Sequence, residues 1–171
     1  MVSVAWGETM PQTTAAHFCQ LLVKTNEGRL MSLHAFIRQT PAASDSLTIE
    51  QQFADYVFHY GGWQSLRIFP HQQGQQVAWY SASDNLPASM SEEHQKYICQ
   101  VFPRLISEVQ AENWQAVDAY IDRMLQYQCQ FGGNQASNAV SSSFLVVVGL
   151  IFVVVILVSR FFYVLLSPKR K

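Results

Sequence analysis

Apolar positions recur along this chain with a spacing that changes from segment to segment. In "TTAAHFCQLLV", Phe18, Leu21 and Leu22 fall at helical intervals, and the turn-forming "KTNEGR" closes the segment. "RLMSLHAFIRQ" fits a short helix or a strand, and "TPAASDS" after it reads as a loop. Thr48 with Gln51 three residues later forms a capping box. Ile49, Phe53, Val57 and Tyr60 then share one helix face, and Gly61-Gly62 stops the helix. "SLRIFP" and "QQVAWYS" flank "HQQGQ" as the strands of a hairpin with Gly74 in its turn. From the N-cap Ser91, Ile98, Val101, Leu105 and Val109 keep helical spacing through Pro103, which is expected to kink or divide the helix. A last helix starts at Asn113, carries Trp114, Val117, Ile121, Met124, Leu125 and Gln128 on one side, and ends at Gly132-Gly133.

The last two helices, joined by a short turn near Glu112, must pack antiparallel. About 120 residues suffice for one core and not for two ordinary domains. The expected fold is therefore mainly α: a small helical ectodomain over residues 12–133 with a minor β-hairpin and an antiparallel helical hairpin. Residues 134–143, "NQASNAVSSS", have nothing to bury and serve as a polar tether.

Phe144 to Leu166 is then a run of 23 residues whose strongly polar members are Ser159 and Arg160. As a helix it spans roughly 34 Å, enough to cross a bilayer, and Arg160 near its end can snorkel to the headgroups. Residues 167–171 form a basic tail with Lys169, Arg170 and Lys171, whereas the tether carries no charge. Positive flanks stay in the cytoplasm, so the large N-terminal domain is expected outside. Export needs a signal, and residues 1–11 are either a disordered N-terminus or the remnant of a signal sequence: Ala5-Trp6-Gly7 fits a small-x-small cleavage pattern. A tail-anchored protein with a cytosolic domain is the alternative, against the charge rule.

Charge and chemistry narrow the function. Residues 1–143 hold 7 Lys and Arg against 12 Asp and Glu, a net charge of −5, which disfavours nucleic acid as a partner. The Gly-x-Ser-x-Gly elbow, the phosphate loop and the Cys-x-x-Cys pair are all missing. His17, His34, His59, His71 and His94 are scattered, so no metal set is expected. Asp118 and Asp122 share a helix face, as do Glu108 and Glu112, and with Arg123 nearby they read as a solvated surface. Cys19 reads as a small core residue. With the helical hairpin turning near residue 112, Cys99 lies within a turn of Cys129, so the two form either a bridge or separate buried thiols.

Several ordered stretches resemble the periplasmic region of Bacteroidetes-type cytochrome c biogenesis proteins, the large system II haem-delivery and ligation proteins of the ResB and CcsA kind. They are "NEGRLMSLHAFIRQ", "SLTIEQQFADYVFHYGGWQSLRIFP", "WYSASDNLP" and "NWQAVDAYIDRMLQYQCQFGG". The matching positions include Gly28, Arg29, Trp63, Trp79, Tyr80, Asp84, Pro87, Tyr127 and Gln128, while Ser32, Ala35 and Ile37 depart from the family pattern. The tryptophan-rich haem-handling motif and the histidines flanking membrane helices are missing. The resemblance implies a divergent or truncated member: a non-catalytic, inner-membrane-anchored periplasmic domain with no cofactor of its own, haem entering only in a larger complex with other membrane subunits. The competing reading is a single-pass membrane-tethered adapter unrelated to haem.

Overall fold

A computed structural model describes residues 9–39 and 46–133. The expected membrane span, its flanks from Phe144 and Arg160 to Lys169, Arg170 and Lys171, the tether and the N-terminal eight residues all lie outside the described residues. Among the described residues, no helix is long and apolar enough to cross a membrane.

The chain order is α1 (Gln12–Phe18), β1 (Leu22–Lys24), β2 (Leu30–Ser32), α2 (Leu33–Ile37), α3 (Ile49–His59), a 3-10 turn (Gly62–Ser65), β3 (Phe69–Gln73), β4 (Gln76–Tyr80), α4 (Glu92–Gln110) and α5 (Trp114–Phe131). The domain is mainly helical, as expected, but it holds two antiparallel hairpins, β1-β2 and β3-β4, where one was anticipated.

The additional hairpin accounts for two sequence expectations at once. Leu21 and Leu22 do not continue α1, which ends at Phe18; Leu22 instead pairs with Ser32 and Val23 with Met31. The ambiguous "RLMSLHAFIRQ" is both things in succession, strand β2 and then α2. Ser32 makes the change of course, because its hydroxyl accepts from the Ala35 N–H and caps α2. Gly28, at φ +81°, supplies the left-handed residue that the turn between β1 and β2 requires.

The local predictions for the other elements hold. Thr48 and Gln51 form the reciprocal capping box of α3, and Gly61, at φ +74°, follows the helix end. Ala54, Val57 and Phe58 are the buried positions of α3, whereas Tyr60 is turned outward. The β3-β4 hairpin turns tightly between Gln73 and Gln76, so "HQQ" belongs to β3. Of the two outcomes expected at Pro103, division does not occur: α4 runs through it without a break. The proline lies on the exposed face, where water can take the carbonyl that loses its amide partner.

One core joins these parts. Phe18 of α1, Leu33 of α2, Val57 of α3, Phe69 of β3, Phe102 and Leu105 of α4, and Ile121 and Met124 of α5 are all buried in it. Helices α4 and α5 form the expected antiparallel pair, and α1 packs on both α3 and α5. A smaller cluster, Leu22 with Trp79, lies between the two hairpins and is flanked by Leu30 and Val77.

Candidate functional site

The residues that carry the family resemblance collect into framework positions. Gly28 and Arg29 close the first hairpin: the Gly28 N–H donates to Thr25 O at 2.9 Å and the Thr25 N–H donates to Arg29 O at 2.8 Å. Asp84 holds the turn after β4 by accepting from the Ser81 N–H at 2.8 Å, with the Arg67 Nε at 3.7 Å. Pro87 O accepts from the Met90 N–H as the chain enters α4. Trp63 stacks on Phe102 with ring centroids 5.2 Å apart, and Trp79 is buried beside Leu22. The Tyr80 hydroxyl accepts from Gln73 Nε2 at 2.7 Å across the hairpin.

Gln128 is the most constrained of them. It is 2 % exposed, on the apolar face of α5, and its amide is fully engaged. Its Oε1 accepts from the Leu22 N–H at 2.8 Å, and its Nε2 donates to Leu22 O and Ile68 O, each at 2.8 Å. One side chain therefore completes the backbone hydrogen bonding of β1 and of the residue preceding β3. A buried amide with every group paired is tolerated in a core where an unpaired one is not.

Tyr127, one residue earlier, belongs to an aromatic cluster between α4 and α5. Its ring stacks on Tyr97 at 5.0 Å, meets Phe131 at 4.7 Å and lies edge-on to His94 at 5.8 Å. The hydroxyls of Tyr97 and Tyr127 are both buried without a hydrogen-bond partner among the described residues. Burial pushes the Tyr127 phenol up to about 12. Burial, reinforced by Tyr127 and opposed by Arg123, also pushes Tyr97 up to about 12. The folded domain thus retains two protons that an unfolded chain releases near pH 10, so their stabilisation is complete below pH 10 and is lost as pH rises toward about 12. We expect the thermal midpoint to fall across that alkaline window, and Tyr97→Phe with Tyr127→Phe to flatten the fall while leaving stability at neutral pH unchanged or higher. Circular-dichroism melts at stepped pH check this; an equally steep fall in the double variant refutes it.

The acidic pair on α5 is solvent-accessible, as anticipated from sequence, but it also has a partner that was not foreseen. His17 of α1 stands between the two carboxylates, with Nδ1 3.0 Å from Asp118 Oδ1 and Nε2 3.1 Å from Asp122 Oδ1. Thr14 Oγ1 donates to Asp118 Oδ2 at 3.3 Å. The i, i+4 spacing of the aspartates places both within reach of His17 on α1, a partner that α5 alone cannot reveal. Because the ring nitrogens face separate carboxylates, the three groups do not converge on a common point. Among the described residues, no group of three or more His, Cys, Asp or Glu is placed to hold a metal ion. His34 makes a similar pair, Nδ1 3.0 Å from Glu50 Oε1.

The three cysteines are free. Cys19 is buried, as its sequence context suggested, and burial, with the Glu50 carboxylate adding to it, pushes its thiol up to about 12. Cys99 and Cys129 are exposed, so neither the bridge nor the pair of buried thiols is realised. The reason is angular. Tyr97 and Tyr127 are in contact across the helical hairpin, and a residue two positions further along a helix is turned by about 200°, away from that contact. We expect a maleimide to modify Cys99 and Cys129 in the native protein at rates near those of a free peptide thiol. Cys19 should react at least about 100-fold more slowly until denaturant is added, because only the thiolate attacks. Peptide mapping by mass spectrometry checks both statements, and a fast-reacting Cys19 refutes the second.

No family model matches this chain, and no curated protein or solved structure does.

Proposed function

We propose that this chain is a non-catalytic domain of, or accessory to, a cytochrome c biogenesis complex. It would be anchored in a bacterial inner membrane by the apolar run 144–166, with the folded domain periplasmic and the C-terminus cytoplasmic. The observation that carries the reading is the position of the family-like residues. From Gly28 to Gln128, they serve the turns and core of one folded unit and form no reactive arrangement. A framework whose described residues hold no metal set and no paired nucleophile and base suits a part that positions other subunits. Haem ligation by this chain alone is not part of the proposal, since His17 and His34 are engaged with carboxylates and His94 lies against Tyr127 and Phe131.

The second reading is a membrane-tethered adapter unrelated to haem. It draws on Tyr56 of α3 and Tyr60 just after it, 51 % and 76 % exposed, which offer aromatic area to a protein partner.

The exposed Cys99 and Cys129 provide the first test directly. An impermeant maleimide applied to intact cells should label them without lysis, and purification from the membrane fraction should bring down membrane subunits with haem absorbance. Labelling only after lysis, with the chain in the membrane fraction, overturns the periplasmic placement and the biogenesis assignment together. Labelling without any haem-bearing partner leaves the adapter.

A further inference from the structure

A hollow of about 610 Å³ lies where β1, the β3-β4 hairpin and the end of α5 meet. Lys24, Gln72, Gln75, Gln76, Gly132 and Gly133 line it, with Val77 on its apolar side. Among the described residues no carboxylate takes part in the lining, although the domain as a whole is acidic. Lys24 is half-buried, and among the described residues its ammonium has no carboxylate and no hydrogen-bond acceptor. Gln72, Gln75 and Gln76 are exposed at the hairpin tip, so their amides are open to a ligand from solvent; Gln72 Nε2 also reaches Gly74 O within its own turn, at 3.3 Å.

We propose that this hollow is a binding site for a phosphate monoester or diester carried on a small polar body. Lys24 supplies the charge, and the glutamine amides at the rim supply N–H donors, a combination with which proteins hold phosphate oxygens. The volume exceeds that of a bare phosphate and falls in the range of small-ligand sites, so room remains for a glycerol- or sugar-sized group beside Val77. A lysine near a helix C-terminus can instead serve the terminal carbonyls, but Lys24 makes no hydrogen bond to α5. Gly133 keeps that wall open; a Cβ there would stand 3.3 Å from Val77 Cγ2 and narrow the space.

The phosphate has two sources. Ten residues, 134–143, separate this wall from the apolar run, so a phospholipid headgroup is one source if the run is embedded. A soluble phosphate ester is the other source. The proposal does not depend on the link to cytochrome biogenesis.

The test uses the full chain, selectively labelled so that glutamine side-chain amides are seen by NMR. In neutral detergent, glycerol 3-phosphate is titrated in; in a second arm, nanodiscs of phosphatidylcholine are compared with nanodiscs containing phosphatidylglycerol. Saturable shifts of Gln72, Gln75 and Gln76 with glycerol 3-phosphate, weakened at least about tenfold in Lys24→Gln and retained in Lys24→Arg, identify a soluble ester. Shifts that need phosphatidylglycerol and disappear in Lys24→Gln identify the headgroup. Thermal melts of both variants confirm that the fold is unchanged. Absence of a Lys24-dependent shift in both arms overturns the site.

Discussion

Replacing Gln128 by Leu should cost the domain about 3–5 kcal/mol, despite exchanging a polar core residue for an apolar one of similar size. The wild-type amide satisfies the Leu22 N–H, Leu22 O and Ile68 O in one place. Leucine leaves all three facing apolar surroundings, and each buried backbone group without a partner costs about 1–3 kcal/mol. The hydrophobic gain of the new side chain offsets part of this, about 1–2 kcal/mol. For a domain of ordinary stability, about 5–15 kcal/mol, the remainder is a large fraction. Urea unfolding followed by fluorescence measures it, and amide exchange at Leu22 should accelerate in parallel. A loss below about 1 kcal/mol would mean that water or a shifted strand end replaces the amide.

Phe102→Ala is the second large effect, expected at about 3–5 kcal/mol. Phe102 is 0 % exposed at the centre of α4. Its ring lies 5.2 Å from Trp63, 6.1 Å from Phe69 and 6.4 Å from Phe58, so it connects the 3-10 turn, β3 and α3 through one side chain. Rings anchored on three other elements cannot all move inward, and the cavity should persist. Phe102→Leu, which keeps most of the volume, should cost less than half as much. Equal losses for the two variants would show that the site collapses freely and that the cavity argument is wrong. Neither variant is expected to alter the His17 contacts, which lie between α1 and α5.

The features that sequence reading located are those whose partners lie close along the chain. The α3 capping box needs only Thr48 and Gln51; the β3-β4 turn needs Gly74; the pairing of α4 with α5 needs two amphipathic faces and a short connection. Even the placement of Gln128 on the buried side of α5 was legible from its spacing with Val117, Ile121 and Met124.

What escaped that reading is equally specific. Leu22 looked helical because Phe18 and Leu21 precede it, but its N–H and C=O are claimed by a side chain 106 residues away, and its strand partner lies across a turn. The histidine partner of Asp118 and Asp122 was not legible because helix geometry reports neighbours on one helix only, whereas His17 arrives from α1. Cys99 and Cys129 were close in axial position, yet their direction about each helix turned them outward. The hollow beside Lys24 has no sequence signature at all, since it is bounded by three segments distant from one another.

For this protein, the sequence by itself determined the long helices, their caps, the second hairpin and the acidic balance of the domain, because those follow from periodicity, composition and contacts within a few residues. Only the tertiary structure decided that β1 is a strand, that Gln128 is fully paired, that His17 lies between two aspartates and that Lys24 borders a hollow free of carboxylates. These depend on which distant groups meet in three dimensions, and the cost of burying an unpaired polar group favours one meeting over another.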